Sequence, residues 1–208
     1  MTHGKYGAHA ERGSEHEYAD SETYLRRRAE LIAELGPRLE RGDTVVDLAC
    51  GDAGLAEFLL PRGFAYVGVE LNETMADAAS RRLAGRARVE VADLNDFVPG
   101  EPVAATTVFR AVYYARDHET FFRHVAGYTE KKLVFDLNPR QYHVDEIRAK
   151  LCEAGFPQIQ LHPFFVPQRI ALPAPVAALA RVAERAGPLA RLALRFRFTY
   201  VVSAARTA

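Results

Sequence analysis

From Thr44 onward the chain alternates short β-branched or aromatic runs with amphipathic segments, and this alternation constrains the fold most. "TVVDL" is followed by a short helix from Gly54. "FAYVGVE" is followed by "ETMADAASRRLA". "ARVEVAD" and "AATTVFRAV" lead to a helix from about Asp117, and "KLVFDL" leads to "VDEIRAKLCEA" with Gly155 just past its end. "QIQLHPFFV" and "RFRFTYVVSA" supply strands six and seven. Parallel neighbours need long crossovers, which helices provide. The pattern predicts an α/β fold with a doubly wound sheet, helices on both faces, and a ligand site outside the carboxyl ends of the strands.

Ahead of the first strand, "ETYLRRRAELIAEL" carries Leu25, Ala29, Ile32 and Leu35 at helical spacing. Ser21 is placed to cap it and Gly36-Pro37 to stop it. Residues 1–20 have no apolar period and read as a mobile arm. Residues 167–194 read as an insertion before the last strand. A length of 208 residues with 49% hydrophobic content suits one domain, 1–208. A formal net charge of zero gives no overall field to draw nucleic acid. The two cysteines have no CxxC neighbours, and the start of the chain has no apolar signal core. A reducing cytoplasm is therefore the expected setting.

The strand ends carry the chemistry. "VVDLACGDAG" at 45–54 runs a strand through Asp47 into a loop of small residues. Strand two ends at Glu70 and strand three at Asp93. Acids in such places often cap helices. Three in succession beside a glycine loop favour a shared ligand instead. A dinucleotide fits poorly, because the GxGxxG fingerprint lacks its first glycine. Asp47 and Asp52 would also repel a pyrophosphate. An ammonium facing Asp47, ribose hydroxyls donating to Glu70 and an exocyclic adenine amine donating to Asp93 suit the acids better. Together these groups describe S-adenosylmethionine.

"VVDLACGDAGLAEFL", "YVGVELNE" and "VEVADLNDF" resemble the first motif, the acidic end of strand two and the second motif of class I, Rossmann-like S-adenosylmethionine-dependent methyltransferases, over about residues 40–160. The resemblance implies a mostly parallel seven-stranded sheet closed by a hairpin-like last pair. It implies that Asp47, Ala49 and Gly51 line the methionine end. Glu70 would hold the ribose, Leu71 would pack on adenine, and Asp93 with the Leu94 backbone would read the adenine edge. Ala49 and Ala53 stand where the family often has glycine. Alanine favours φ below zero, so a less free loop is expected.

On the acceptor side, "FRAVYYARDHE" follows strand four without the Asn/Asp-Pro-Pro-Tyr motif of amide and adenine methyltransferases. "NPRQY" at 138–142 follows strand five and reads as a turn. The proline–cysteine motif of cytosine carbon-5 enzymes is missing. Cys50 and Cys152 are poorly placed as nucleophiles. Arg110 is a candidate ligand for an acidic or carbonyl group, on the cofactor edge with Tyr24, or a salt-bridge partner of Asp93 or Asp136. Tyr113, Phe164 and Phe165 are candidate acceptor contacts. His118, His143 and Tyr114 are candidate catalytic groups, since a neutral histidine can deprotonate a hydroxyl. Asp136 would suit a metal, but Arg110 beside it would repel the ion, so no metal is expected.

These features predict a methyltransferase for a small apolar or aromatic molecule. The alternatives are a nicotinamide-dependent oxidoreductase and a non-catalytic S-adenosylmethionine-binding module. Tyr18 and Tyr24 lie on a segment expected to close over the cofactor. In the insertion, "APVAALARVAERAG" has an apolar face with Arg181 and Arg185 among its polar positions. It can cover an apolar acceptor together with Phe164, Phe165, Leu172 and Val176. It can equally rest on a membrane surface, or pack on the sheet edge or in a homodimer interface.

Overall fold

The structure is a computed structural model, and it describes residues 18–187, 190 and 198–207. Seven strands form one sheet in the order β3-β2-β1-β4-β5-β7-β6. They are β1 (Thr44–Leu48), β2 (Ala65–Glu70), β3 (Arg88–Val91), β4 (Val103–Val108), β5 (Thr129–Leu137), β6 (Gln158–Phe164) and β7 (Thr199–Ala205). The first five pair in parallel. Only β7 is reversed, against both β5 and β6. This is the expected doubly wound, mostly parallel sheet with a hairpin-like last pair. The strand order reverses between β1 and β4, and the crevice there is where such sheets bind ligands.

Helices α1 (Ser21–Glu34), α2 (Ala56–Leu59) and α3 (Glu73–Leu83) cover one face, and α4 (His118–Ala126) and α5 (Val144–Glu153) the other. The central strands read as unbroken apolar runs because both of their faces are buried. Val45 packs under α1 to α3 and Val46 under α4 and α5. The cap of α1 differs from expectation. Asp20, not Ser21, precedes the helix, and its carboxylate accepts from Thr23 N at 2.9 Å. Strand β4 stops at Val108, short of the expected Val112. Arg110 turns the chain with φ 55°, outside the range a strand tolerates.

Between β6 and β7 lies α6 (Ala174–Glu184), as the insertion predicts. Of the expected last strand, residues 195–197 lie outside the described residues, as do residues 1–17 of the expected arm. No helix among the described residues is long and apolar enough to cross a membrane.

Candidate active site

The loop after β1 turns on backbone conformation. Ala49, Gly51 and Ala53 all have positive φ, at 57°, 59° and 56°. The two alanines were expected to keep φ below zero, and that expectation is corrected here. The loop keeps the path that glycines would take. The alanines carry the steric cost of a left-handed conformation, on the order of 1–2 kcal/mol each. Held strain of this kind clusters where a ligand is gripped. A side chain on Gly51 would meet only the Met75 methyl at 3.7 Å, so this part of the loop is open.

Glu70 ties that loop to its neighbour. One carboxylate oxygen accepts from Gly51 N and the other from Asn72 N, both at 3.0 Å. Each oxygen keeps lone-pair capacity for a further donor. Leu71 follows, exposed at the strand end. Asp93 accepts from the backbone and side chain of Asn95 (2.9 and 2.7 Å) and from Arg116 (2.9 Å). Burial pushes its carboxyl up, but these bonds outweigh burial and hold it below the usual range. Leu94 is buried beneath it.

Asp47 is more enclosed than its expected contact with an ammonium suggests. It is buried, and its oxygens accept from Thr107 Oγ1 at 2.6 Å and Tyr66 OH at 2.8 Å. Burial raises its carboxyl to about 6, against the opposing pull of those two hydroxyls and Arg28. Asp52 turns away to Arg82, at 2.7 Å.

A second cluster forms past the ends of β4, β5 and β6. At its centre is Arg28, buried, with Phe109 and Tyr24 rings 4.3 and 4.5 Å from its guanidinium carbon and Phe164 at 5.8 Å. It donates to Tyr24 OH at 2.9 Å and pairs with Asp136 at 3.0 Å. Asp136 also accepts from Arg110 N at 2.6 Å. Tyr18 stacks on Tyr24 at 4.4 Å, and the Arg110 guanidinium lies 5.5 Å from the Tyr18 ring. Burial pushes the Tyr24 hydroxyl up to about 12, so it stays protonated at neutral pH.

The remaining candidates scatter around this edge. Tyr113 and Tyr114 are exposed, with ring centroids 4.4 Å apart, on a 3-10 turn (Val112–Tyr114). His118 begins α4 between Phe122 and Tyr142, and burial lowers its pKa, which favours the neutral imidazole. His143 precedes α5 and makes no side-chain cap. Phe164 and Phe165 part company. Phe164 packs among the α1 side chains, while Phe165 packs with Ala180, Ala183, Ala190 and Phe198. Val176, expected beside them, is exposed.

Sequence reasoning missed Arg28, Phe109 and Tyr66. Arg28 hides in an arginine run that reads as solvated. The usable signal is spacing, since Arg28 lies four residues after Tyr24 and four before Ile32, on their face of the helix.

Comparison with known proteins fits this geometry. Residues 45–132 match a family described as a methyltransferase domain. No curated protein matches the chain closely enough to count as a relative. Among solved structures, a putative methyltransferase from an antibiotic biosynthesis pathway of Anabaena variabilis superposes with a TM-score of 0.64 at 15% identity, over 88% of this chain and 98% of that one. Magnesium protoporphyrin IX methyltransferase from Synechocystis, with bound S-adenosylmethionine, gives 0.60 at 15% identity, over 88% and 76%. A TehB-like S-adenosylmethionine-dependent methyltransferase from Corynebacterium glutamicum gives 0.58 at 17%, over 88% of both chains. At such identities the structural likeness is one of fold.

Part of the chain thus matches a methyltransferase domain, and the chain as a whole has the Rossmann-like fold of solved S-adenosylmethionine-dependent methyltransferases. Magnesium protoporphyrin IX methyltransferase, which shares this fold, is seen with S-adenosylmethionine and with S-adenosylhomocysteine bound.

Proposed function

We propose that the protein is an S-adenosylmethionine-dependent methyltransferase and that it methylates a small apolar or aromatic molecule held against the carboxyl edge of β4, β5 and β6. The observation that carries this reading is the ring cluster of Tyr18, Tyr24, Phe109 and Phe164 around Arg28, beside the exposed pair Tyr113 and Tyr114. The rings around Arg28 are buried and form an apolar wall, and the exposed Tyr113 and Tyr114 beside them present flat surfaces that favour a flat apolar ligand.

On the donor side, Asp47, Ala49 and Gly51 flank the methionine end of the cofactor. Glu70 accepts from the ribose, Leu71 covers the adenine, and Asp93 with the Leu94 backbone meets its edge. The residues fit that cofactor. Glu70 and Asp93 are carboxylate acceptors with lone pairs left, Leu71 is an exposed apolar side chain, and the loop at Gly51 is open. Tyr24 and Arg110 border the same edge. When bound, the cofactor supplies an electrophilic methyl group.

The protein's work is then to exclude water and hold the acceptor in line with that methyl, an effect worth up to roughly 7–11 kcal/mol. Tyr113, Phe164 and Phe165 shape the acceptor side. His118, neutral at physiological pH, is the better placed proton acceptor for a hydroxyl, ahead of His143 and Tyr114. A net charge of zero suits a small acceptor rather than a nucleic acid.

The test is transfer of a labelled methyl group to a panel of small phenols, aryl amines, indoles and aliphatic acids. Turnover confined to the aromatic members is the expected result. Turnover of the aliphatic acids alone would overturn the acceptor class, while leaving the methyltransferase assignment in place.

A further inference from the structure

Helix α6 inverts the usual arrangement of a surface helix. Its one fully buried side chain is Glu184, which accepts from Arg27 Nε and Nη2 at 3.0 and 2.8 Å and from Phe165 N at 2.9 Å. Its aliphatic side chains stand in solvent instead. Leu179 is 67% exposed, Val182 68% and Val176 45%, and Ile170 just ahead of the helix is 64% exposed. A helix ordinarily turns such residues inward. An apolar patch left outside marks a contact surface.

The charge around the patch indicates the partner. Among the described residues of the insertion the cations are Arg169, Arg181 and Arg185, and the one acid, Glu184, is spent inside the protein. Arg169 and Arg185 are exposed beside the aliphatic residues. Glu30 and Glu34 of α1 line a groove with Arg181 and Arg185, Glu30 at 3.9 Å from Arg181, and offset part of this charge, while Arg169 stands apart from that groove. A surface that is apolar below and anionic above satisfies both features at once.

We infer that α6 and the turn before it rest on an anionic lipid bilayer. The aliphatic residues enter the acyl boundary, and Arg169 and Arg185 meet the headgroups. This docking is independent of the acceptor proposed above. It would bring the catalytic domain to the membrane surface.

The test is co-sedimentation of the full chain with vesicles of phosphatidylcholine alone and of phosphatidylcholine mixed with phosphatidylglycerol. Binding to the mixed vesicles only, weakened by salt, is expected. Leu179→Asp with Val182→Asp should abolish it. Arg169→Gln with Arg185→Gln should weaken it by on the order of tenfold or more, since each arginine near such a surface counts severalfold. S-adenosylhomocysteine affinity should be unchanged in both variants, which confirms intact folds. Equal binding to both vesicles, binding that survives the aspartates, or no vesicle binding would each overturn the inference. A concentration-dependent dimer dissolved by the aspartates, without vesicle binding, would overturn it in favour of an interface between copies.

Discussion

The two halves of the carboxyl edge, one proposed for the methyl donor and the other for its acceptor, are built on different plans. The donor half is local in sequence. Asp47, Gly51, Glu70 and Asp93 sit at the ends of three successive strands, and each acid is satisfied by residues of the β1–β4 segment or the loop that follows it. The acceptor half is assembled from a distance. Arg28, Phe109, Asp136 and Phe164 come from α1 and from the carboxyl ends of β4, β5 and β6, and a largely buried ion pair spanning 108 positions joins them. Where ligand contacts are local, stability and binding can vary separately. Where a buried charge holds several elements together, a change intended for the substrate also acts on the fold.

The largest effect should come from Arg28. Arg28→Met removes the cation and leaves Asp136 and the Tyr24 hydroxyl without it, which should cost about 3–5 kcal/mol of stability. Denaturant unfolding measures this. Adding Asp136→Asn should recover part of the loss, because the uncompensated charge is then gone too. Equal stability of Arg28→Met and the parent would mean the acceptor half is not held by this pair.

Next is Asp47, whose effect depends on pH. Its folded carboxyl lies at about 6, above an unfolded value near 3.9. The folded state therefore binds more protons between these values. Stability is greatest below about pH 4 on this account and falls as pH rises towards 6. Asp47→Asn lacks that slope, so the variant should gain on the parent through this window. The gap should level off above it at up to roughly 3 kcal/mol, less whatever the amide loses in bonding to Tyr66 and Thr107. S-adenosylhomocysteine affinity should fall in the same variant. Thermal melts across pH, set beside calorimetry, separate the two effects. A parallel pair of stability curves would contradict the buried-charge account.

Glu70 sharpens the contrast. Glu70→Ala should weaken S-adenosylhomocysteine binding by about 1–3 kcal/mol, the range for charge-assisted hydrogen bonds. Much of this arises from the loss of both tethers to Gly51 and Asn72. Undiminished affinity with a folded protein would remove the ribose contact.

This contrast also explains what could be read from sequence. The strand–helix alternation is periodic and local, so the sheet and its crevice were legible in a single chain, as was the placing of the acids at the strand ends. Arg28 was not. Its burial depends on Asp136, Phe109 and Phe164 arriving from elsewhere, and no window of sequence contains them. Phe164 and Phe165 were grouped because they are adjacent, yet neighbours at a strand end point to opposite faces. Phe164 accordingly turns to the α1 side chains and Phe165 to those of α6. The cap at Asp20 was missed because Asp and Ser compete for the same role one position apart.

The smallest effect concerns the alanines with positive φ, where three similar sites differ in burial. Ala53 is fully buried, Ala49 is half-buried, and Ala84, on the C-cap of α3, is exposed with φ 47°. Replacing each by glycine relieves roughly 1–2 kcal/mol of left-handed strain. It costs about 0.4–1 kcal/mol through the freer unfolded chain. A buried methyl adds a further loss of about 0.8 kcal/mol. Ala84→Gly should therefore stabilise by several tenths of a kcal/mol, Ala49→Gly by less, and Ala53→Gly by about nothing. Cofactor affinity gives the second axis. Ala84 lies away from the crevice, so its variant should bind S-adenosylhomocysteine as the parent does. If the strain at Ala49 holds the loop in its binding shape, relieving it should lower affinity while raising stability. An Ala49→Gly variant gaining both would show that the loop is strained by accident of sequence and not for grip.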